Sequence, residues 1–388
     1  MKKLVAVVAM LVTGVTLVAT GAAKPNQSAG HVYINDNTAG ANTVAGFDRH
    51  ADGSLTPMPG SPFDVGGAGG GHGNASQGSL QLSADGRYLL AVDAGSNQIS
   101  VLRIKPDGSL DEVQGSPVAS GGVNPVSIAV SGELVYVANQ GPGSNPGDTN
   151  YTGFTLNPGG RLSPIAGSTV ALPSNAVPGQ VLFNADGSRL VGTRIGTSAI
   201  DSFIVGADGL LTAAPGSPFD AQSFTPAQGF GQLGSVFNPM QADQLFVSDA
   251  HTAAGGPAPG LVSSFTDGPS GVLAPITPSP VANDGVASCW VEISQDGAYL
   301  FVVNTASKTI SSYSIAAHGS ITFLQSTSSA NLGAGAEDAR LAPDGSTLWV
   351  VQAGADAVNG FSVSGGSLRF LSTAAGPAGA TPTGIVVT

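Results

Sequence analysis

Hydrophobic and polar residues alternate with a period of two along most of this chain, in short runs bounded by Asp-Gly pairs. YLLAV (88–92) and ISVLRI (99–104) are two such runs, flanked by Asp85-Gly86 and Asp107-Gly108. Period two is the signature of strands, and no segment keeps a 3.6-residue period over several turns. Residues 82–110, LSADGRYLLAVDAGSNQISVLRIKPDGSL, align with residues 293–321, ISQDGAYLFVVNTASKTISSYSIAAHGSI, over 29 positions without a gap, 12 of them identical. The phrase returns at 183–211 and 341–368, and in looser form from His31, Leu134 and Gln244. Seven copies of about 52 residues each match the period of propeller blades.

Each copy holds four strands, A to D. Strand A is the short run before the first Asp-Gly, such as SLQLS (79–83), and D follows the second. A four-stranded antiparallel sheet with two apolar faces cannot bury both alone, whereas seven packed radially bury both. The expected fold is therefore all-β, a seven-bladed β-propeller over 31–388. The chain enters on a B strand at His31 and ends on TGIVVT (383–388), which matches an A strand. The last strand should complete the first blade and close the ring, removing free edges at the seam. Prolines in PGSPFD (59–64 and 215–220), QGSPVA (114–119) and PSPVA (278–282) fall on strand D. There a missing N–H discourages edge-to-edge pairing.

Composition adds compartment and partner. The first 23 residues carry Lys2 and Lys3, an apolar run and a small-residue end, the layout of a secretory leader, with 24–30 as a short linker. A retained anchor is the alternative, because Leu4–Ala23 is just long enough to span a bilayer. The expected location is secreted or periplasmic. Cys289 is the one cysteine, so no intrachain disulfide forms, and its apolar setting, SCWVEI, marks it as a packed residue. The formal charge is -12, and nearer -14 without the leader lysines (11 basic against 25 acidic). That argues against nucleic acid or an anionic membrane as partner. The partner expected is a small molecule or an extracellular protein, the protein itself a monomer, with no cofactor and no metal.

Antiparallel order puts the A–B and C–D turns on one face of the disc and the B–C and D–A connections on the other. The first set is tight Asp-Gly turns. The second includes the long loops 64–78, 139–150, 219–232 and 249–260. Lengthened loops gathered on one face mark it as the candidate functional face. Strand A lines the central channel. Alignment on the Asp-Gly turns brings Gln81, Leu182, Glu292 and Arg340 into one register, with Glu292 and Arg340 on adjacent blades six and seven. They form either an inter-blade ion pair or a polar anchor for a ligand. Trp290, two residues from Glu292, is either core or a platform on which a ring could stack. Asp249 and His251, on a long loop of the candidate face, are the catalytic candidates as an acid–base pair. GFGQLG (229–234) fits a dinucleotide fingerprint but precedes a strand and opens no helix, so it is set aside.

The phrase S-x-DG-x-YL-F-VVN with TIS-Y-I-x-x-x-GS resembles the lactonase-type seven-bladed propellers. That family includes phosphogluconolactonases and carboxymuconate cyclases. VPGQVLFNADGSRLV (177–191) and CWVEISQDGAYLFVVN (289–304) point to its exported branch. The resemblance spans roughly 31–388. It implies lactone ring opening or closing by His, Arg and Glu on inner strands and upper loops. Where the family has an Arg-His pair in blade five this chain has Leu233 and Gly234, and where it has His in blade four this chain has Gly179. Asp249 fills the acidic slot after strand B of blade five. The expectations are a ligand-binding propeller or a lactone hydrolase or cyclase, with an interaction scaffold as the third reading.

Overall fold

A computed structural model describes residues 28–73, 75–141, 147–221, 231–251, 257–328 and 335–388, the side chains of His251, Pro257 and Ala258 excepted. The leader, most of the linker, and much of the loops at 139–150, 219–232 and 249–260 lie outside the described residues. The chain forms seven antiparallel sheets. Their innermost strands are Thr383–Val387 for blade 1, Leu80–Leu82, Pro125–Ser131, Pro178–Phe183, Gly231–Asn238, Ser288–Ile293 and Ala336–Leu341. Each inner strand neighbours the next, and the seventh returns to the first, so the ring is closed.

Closure is made by the chain ends. The first strand, which starts at Ser28 rather than His31, takes Thr383–Val387 as its inner neighbour, with Val32 opposite Val387 and Ile34 opposite Ile385. The backbone N–H of Thr388 donates to the His31 carbonyl at 2.9 Å.

The period-two pattern sorts side chains between neighbouring blades. On strand B of blade 2, Tyr88, Leu90 and Val92 pack with Ile128, Val135 and Val137 of blade 3. Leu89 and Ala91 face the other way, against Tyr33 and Val44 of blade 1. The same division repeats at every boundary, giving seven apolar clusters among the described residues, one between each pair of blades. Sheets that are apolar on both faces are stable only when stacked this way.

In blades 1 to 5 the outer strand is broken into two segments, for example Leu55–Pro57 and Phe63–Asp64, both paired with strand C. The serine in each break accepts the strand C amide that loses its partner: Ser61 from Gly46, Ser116 from Val101, Ser168 from Gly153, Ser217 from Ser202 and Ser279 from Ser264. The serine at each break, in a Gly-Ser-Pro phrase in blades 1, 2 and 4, thus lets the edge be interrupted without leaving that strand C donor unpaired.

Candidate functional site

The innermost strand of a propeller blade has one edge with no neighbouring strand, and its backbone groups there need partners. Here the D–A loop between blades 1 and 2 supplies them. Ser76, Gln77 and Gly78 contact blades 4, 6 and 7, none of them a neighbour of blade 2, so the segment reaches across the channel. The Gln77 backbone N–H donates to the Gly179 carbonyl of blade 4 at 3.0 Å. Its side chain grips Val291 of blade 6 in both directions: Nε2 donates to the Val291 carbonyl at 2.8 Å, and Oε1 accepts the Val291 N–H at 3.0 Å. Gly78 N–H donates to Asp338 Oδ2 of blade 7 at 3.2 Å, and the Gly78 carbonyl accepts from Ile128 of blade 3 at 2.9 Å. Trp290 Nε1 donates to the Ser76 carbonyl at 2.7 Å. The chain therefore plugs its own axis.

The plug accounts for the small residues on the channel wall. A Cβ on Gly234 would collide with Gln77 Oε1 and the Cys289 carbonyl. Gly179 stands against Leu233 and supplies the carbonyl that Gln77 uses.

Six of the seven inner strands break register at one level. Val126, Gly179, Leu233 with Gly234, Cys289, Glu337 with Asp338, and Gly384 drop out of their ladders. A bulge of this kind re-aims side chains. Glu337 and Asp338 are the only charged residues among those left out. Asp338 is tied to the plug. Glu337 is 9% exposed, and among the described residues its carboxylate has no hydrogen-bond or ion-pair partner. A Cβ on Gly73 would lie 3.2 Å from its Oε1, so it sits beneath the loop that leads into the plug. Burial, with the Asp338 charge adding to it, holds Glu337 well above the usual carboxylate range.

The residues singled out in the sequence separate into three places. Glu292 and Arg340 pair across blades 6 and 7, Oε2 to Nη1 at 3.3 Å, beyond the plug toward the Asp-Gly turns. Burial outweighs the pull of Arg340 and lifts Glu292 to about 7, with Asp338 pushing the same way. The Arg340 side chain keeps 27% exposure, so water screens this pair. Gln81 occupies the same register on blade 2 and is half-buried. Trp290 is buried in the cluster between blades 6 and 7 with its indole N–H on the plug.

Asp249 is fully buried. Its Oδ1 accepts from Gln232 Nε2 at 2.9 Å and its Oδ2 from Ser263 at 2.8 Å. Burial raises it to about 7. Asp93 at the end of strand B in blade 2 repeats the arrangement, accepting from Asn42 at 2.9 Å and from Ser100. Asp249 and His251 lie on the strand Gln241–His251 rather than on the long loop expected from the sequence, because the ladder of blade 5 runs on to residue 251; the His251 side chain lies outside the described residues. Cys289 is buried, its thiol pushed up to about 12 by desolvation. Gln77, Glu337 and Asp338 were missed in the sequence.

The sequence profile of the seven-bladed β-propeller lactonases matches residues 32–145 and 236–386. No protein of curated function matches the sequence significantly. Among solved structures, a candidate 6-phosphogluconolactonase of Bacteroides fragilis superposes with a TM-score of 0.71 at 18% identity, over 95% of this chain and 100% of that one. The periplasmic gluconolactonase of Pseudomonas aeruginosa gives 0.70 at 18% identity, over 92% and 99%. A streptogramin B lyase structure gives 0.52 at 14% identity, over 80% and 87%. Likeness at these identities speaks for the fold.

Proposed function

The chain belongs to the seven-bladed β-propeller lactonase family, and on that premise we propose that it binds a small polyhydroxylated ring, of the sugar-lactone class, at the long-loop mouth of its plugged channel. The observation that carries this reading is Glu337, buried at the bulge level with no side-chain partner among the described residues. A carboxyl group held neutral donates one hydrogen bond and accepts another, which suits a lactone carbonyl or a ring hydroxyl. The gluconolactonase from Pseudomonas aeruginosa supports the ligand class.

Binding is favoured over turnover by what surrounds that carboxyl. Opening a lactone puts negative charge on the carbonyl oxygen, which fixed donors or cations must stabilise. Among the described residues the bulge level holds Glu337 and Asp338 but no cation, and Arg340 is held by Glu292 beyond the plug. In this reading Glu292, Arg340, Trp290 and Asp249 serve the ring itself. The leader-like first 23 residues support an extracytoplasmic location, which N-terminal sequencing of protein from a cell-free medium or periplasmic fraction tests. Family membership favours a second reading, hydrolysis or cyclisation in which Glu337 moves the proton.

Calorimetric titration with aldonates and aldonolactones, run beside pH-stat assays on a lactone panel, separates the two. The expected result is saturable binding that Glu337→Leu removes and Glu337→Gln largely keeps, with no acid release above background. Turnover that Glu337→Gln or Asp249→Asn abolishes would overturn the binding reading. Retrieval of an extracellular protein, with no metabolite bound, would replace both with an interaction scaffold.

A further inference from the structure

A second site lies on the outside of the ring, in the crevice between blades 2 and 3. Acidic side chains outnumber basic ones here, 25 to 13, so a cation without a counter-charge stands out. Arg49, Arg87, Lys105, Arg189, Arg194 and Arg340 each sit in an ion pair. Among the described residues Arg103, Arg161, Lys308 and Arg369 have none. Two of these four, Arg103 and Arg161, line the same cavity of about 430 Å³, with Glu112, Gln114 and Asn157 beside them. That volume suits a small ligand.

The arginine on blade 2 is oriented. The Arg103 guanidinium carbon lies 5.3 Å from the centroid of the Tyr88 ring, and the Tyr88 hydroxyl donates to the Pro158 carbonyl of blade 3 at 3.0 Å. A guanidinium carries five N–H donors, so one seated by a neighbouring ring still has donors to offer an oxyanion. At Asn157 the cavity meets a second one, of about 260 Å³, walled by Asp85, Glu133 and Pro158. The groove thus offers guanidinium donors at one end and carboxylate and amide groups along the rest. Carboxylates and amides hydrogen-bond hydroxyls, and guanidinium groups bind carboxylates in bidentate fashion.

We propose that this crevice binds an acidic oligosaccharide, with a sugar carboxylate on Arg103 and Arg161 and neighbouring hydroxyls along Asn157, Gln114 and Glu112. The site is separate from the channel mouth and does not depend on the ligand bound there.

Titration with galacturonate oligomers, against their methyl-esterified counterparts and inorganic phosphate, tests it. The expected result is saturable binding that weakens with salt and is lost on esterification. Each guanidinium contributes roughly tenfold, so Arg103→Gln with Arg161→Gln should weaken binding about a hundredfold. Arg103→Lys with Arg161→Lys should recover part of it, and Glu337→Leu should change nothing. Both arginines are exposed, so melting should stay unaltered. In the unsubstituted protein, amide shifts on adding the oligomer should centre on Asn157 and Gly159. No saturable binding, equal binding of the esterified oligomer, or shifts centred elsewhere would overturn the proposal. Phosphate binding as tightly as the oligomer would reduce the site to a simple anion hole and overturn the saccharide assignment.

Discussion

Replacing Gln77 with alanine should loosen the centre of the ring without touching any blade-to-blade cluster. Gln77 is 2% exposed, and its side chain is the partner of both the N–H and the carbonyl of Val291. Truncation leaves two backbone groups facing the channel unpaired. Each costs about 1–3 kcal/mol when it is buried and unsatisfied, so the pair should cost about 3 kcal/mol. For a chain of this length that corresponds to a fall in Tm of about 4 °C. Calorimetry measures the fall. Tryptophan emission supplies a local reading, because the Trp290 indole bonds to the neighbouring Ser76 carbonyl and should shift to the red as the segment loosens. Gln77→Glu should be worse than Gln77→Ala, since a carboxylate cannot donate to the Val291 carbonyl and brings charge into the channel. A fall of less than about 1 °C with unchanged emission would refute the argument that this side chain satisfies the inner edge of blade 6.

Stability should be greater near pH 5 than near pH 8. Burial lifts Asp36, Asp249 and Glu292 each to about 7, so their contribution is full below the unfolded range of about 4 and is lost as pH rises through 7. Serine hydroxyl and backbone donors lower Asp186, Asp296 and Asp344 in the turns, and their contribution is lost in acid. A Tm that rises monotonically from pH 5 to pH 8 would contradict this assignment. Asp249→Asn should flatten the alkaline side of that profile and keep the fold. The amide of Gln232 can turn to offer its unpartnered Oε1 to the new Asn N–H, while Ser263 still donates. Collapse of the fold at pH 8 would sink that account. Deleting 383–388 removes the inner strand of blade 1 and should abolish cooperative melting. A truncated chain that melts like the full one would show that the ring does not depend on its seam.

The parts of this architecture visible in the sequence are those that repeat. Alternating runs and Asp-Gly turns recur in register, so blade number, strand order and the closing strand follow from pattern. For Glu292 and Arg340 the pattern reaches only the shared register on adjacent inner strands, which leaves an ion pair and a ligand anchor both open; the 3.3 Å contact is visible only in the structure. The plug does not repeat. Ser76, Gln77 and Gly78 sit in a glycine-rich loop without periodicity, and the Gln77–Val291 contact joins positions 214 residues apart. Nothing local in the sequence marks such a contact.

Glu337 lies between these cases. Alignment on the Asp-Gly turns reaches the level of Arg340 and is not carried back to the bulge. Three residues earlier, the copies read Gly179 in VPGQV, Cys289 in SCWVE and Glu337 in GAEDA, and the carboxylate is then the odd residue in the column. The same column and the one beside it hold Leu233 and Gly234, where the family resemblance implies cationic residues. The plug gives this departure a physical cause. Gln77 Oε1 occupies the space that a side chain at position 234 would need, and Gln77 N–H uses the carbonyl of Gly179. An axis filled by the chain's own glutamine and a wall cleared of large cationic side chains are two sides of one arrangement. In the proposed reading, the mouth of the channel beside Glu337 is then where a ligand would meet a buried carboxyl group.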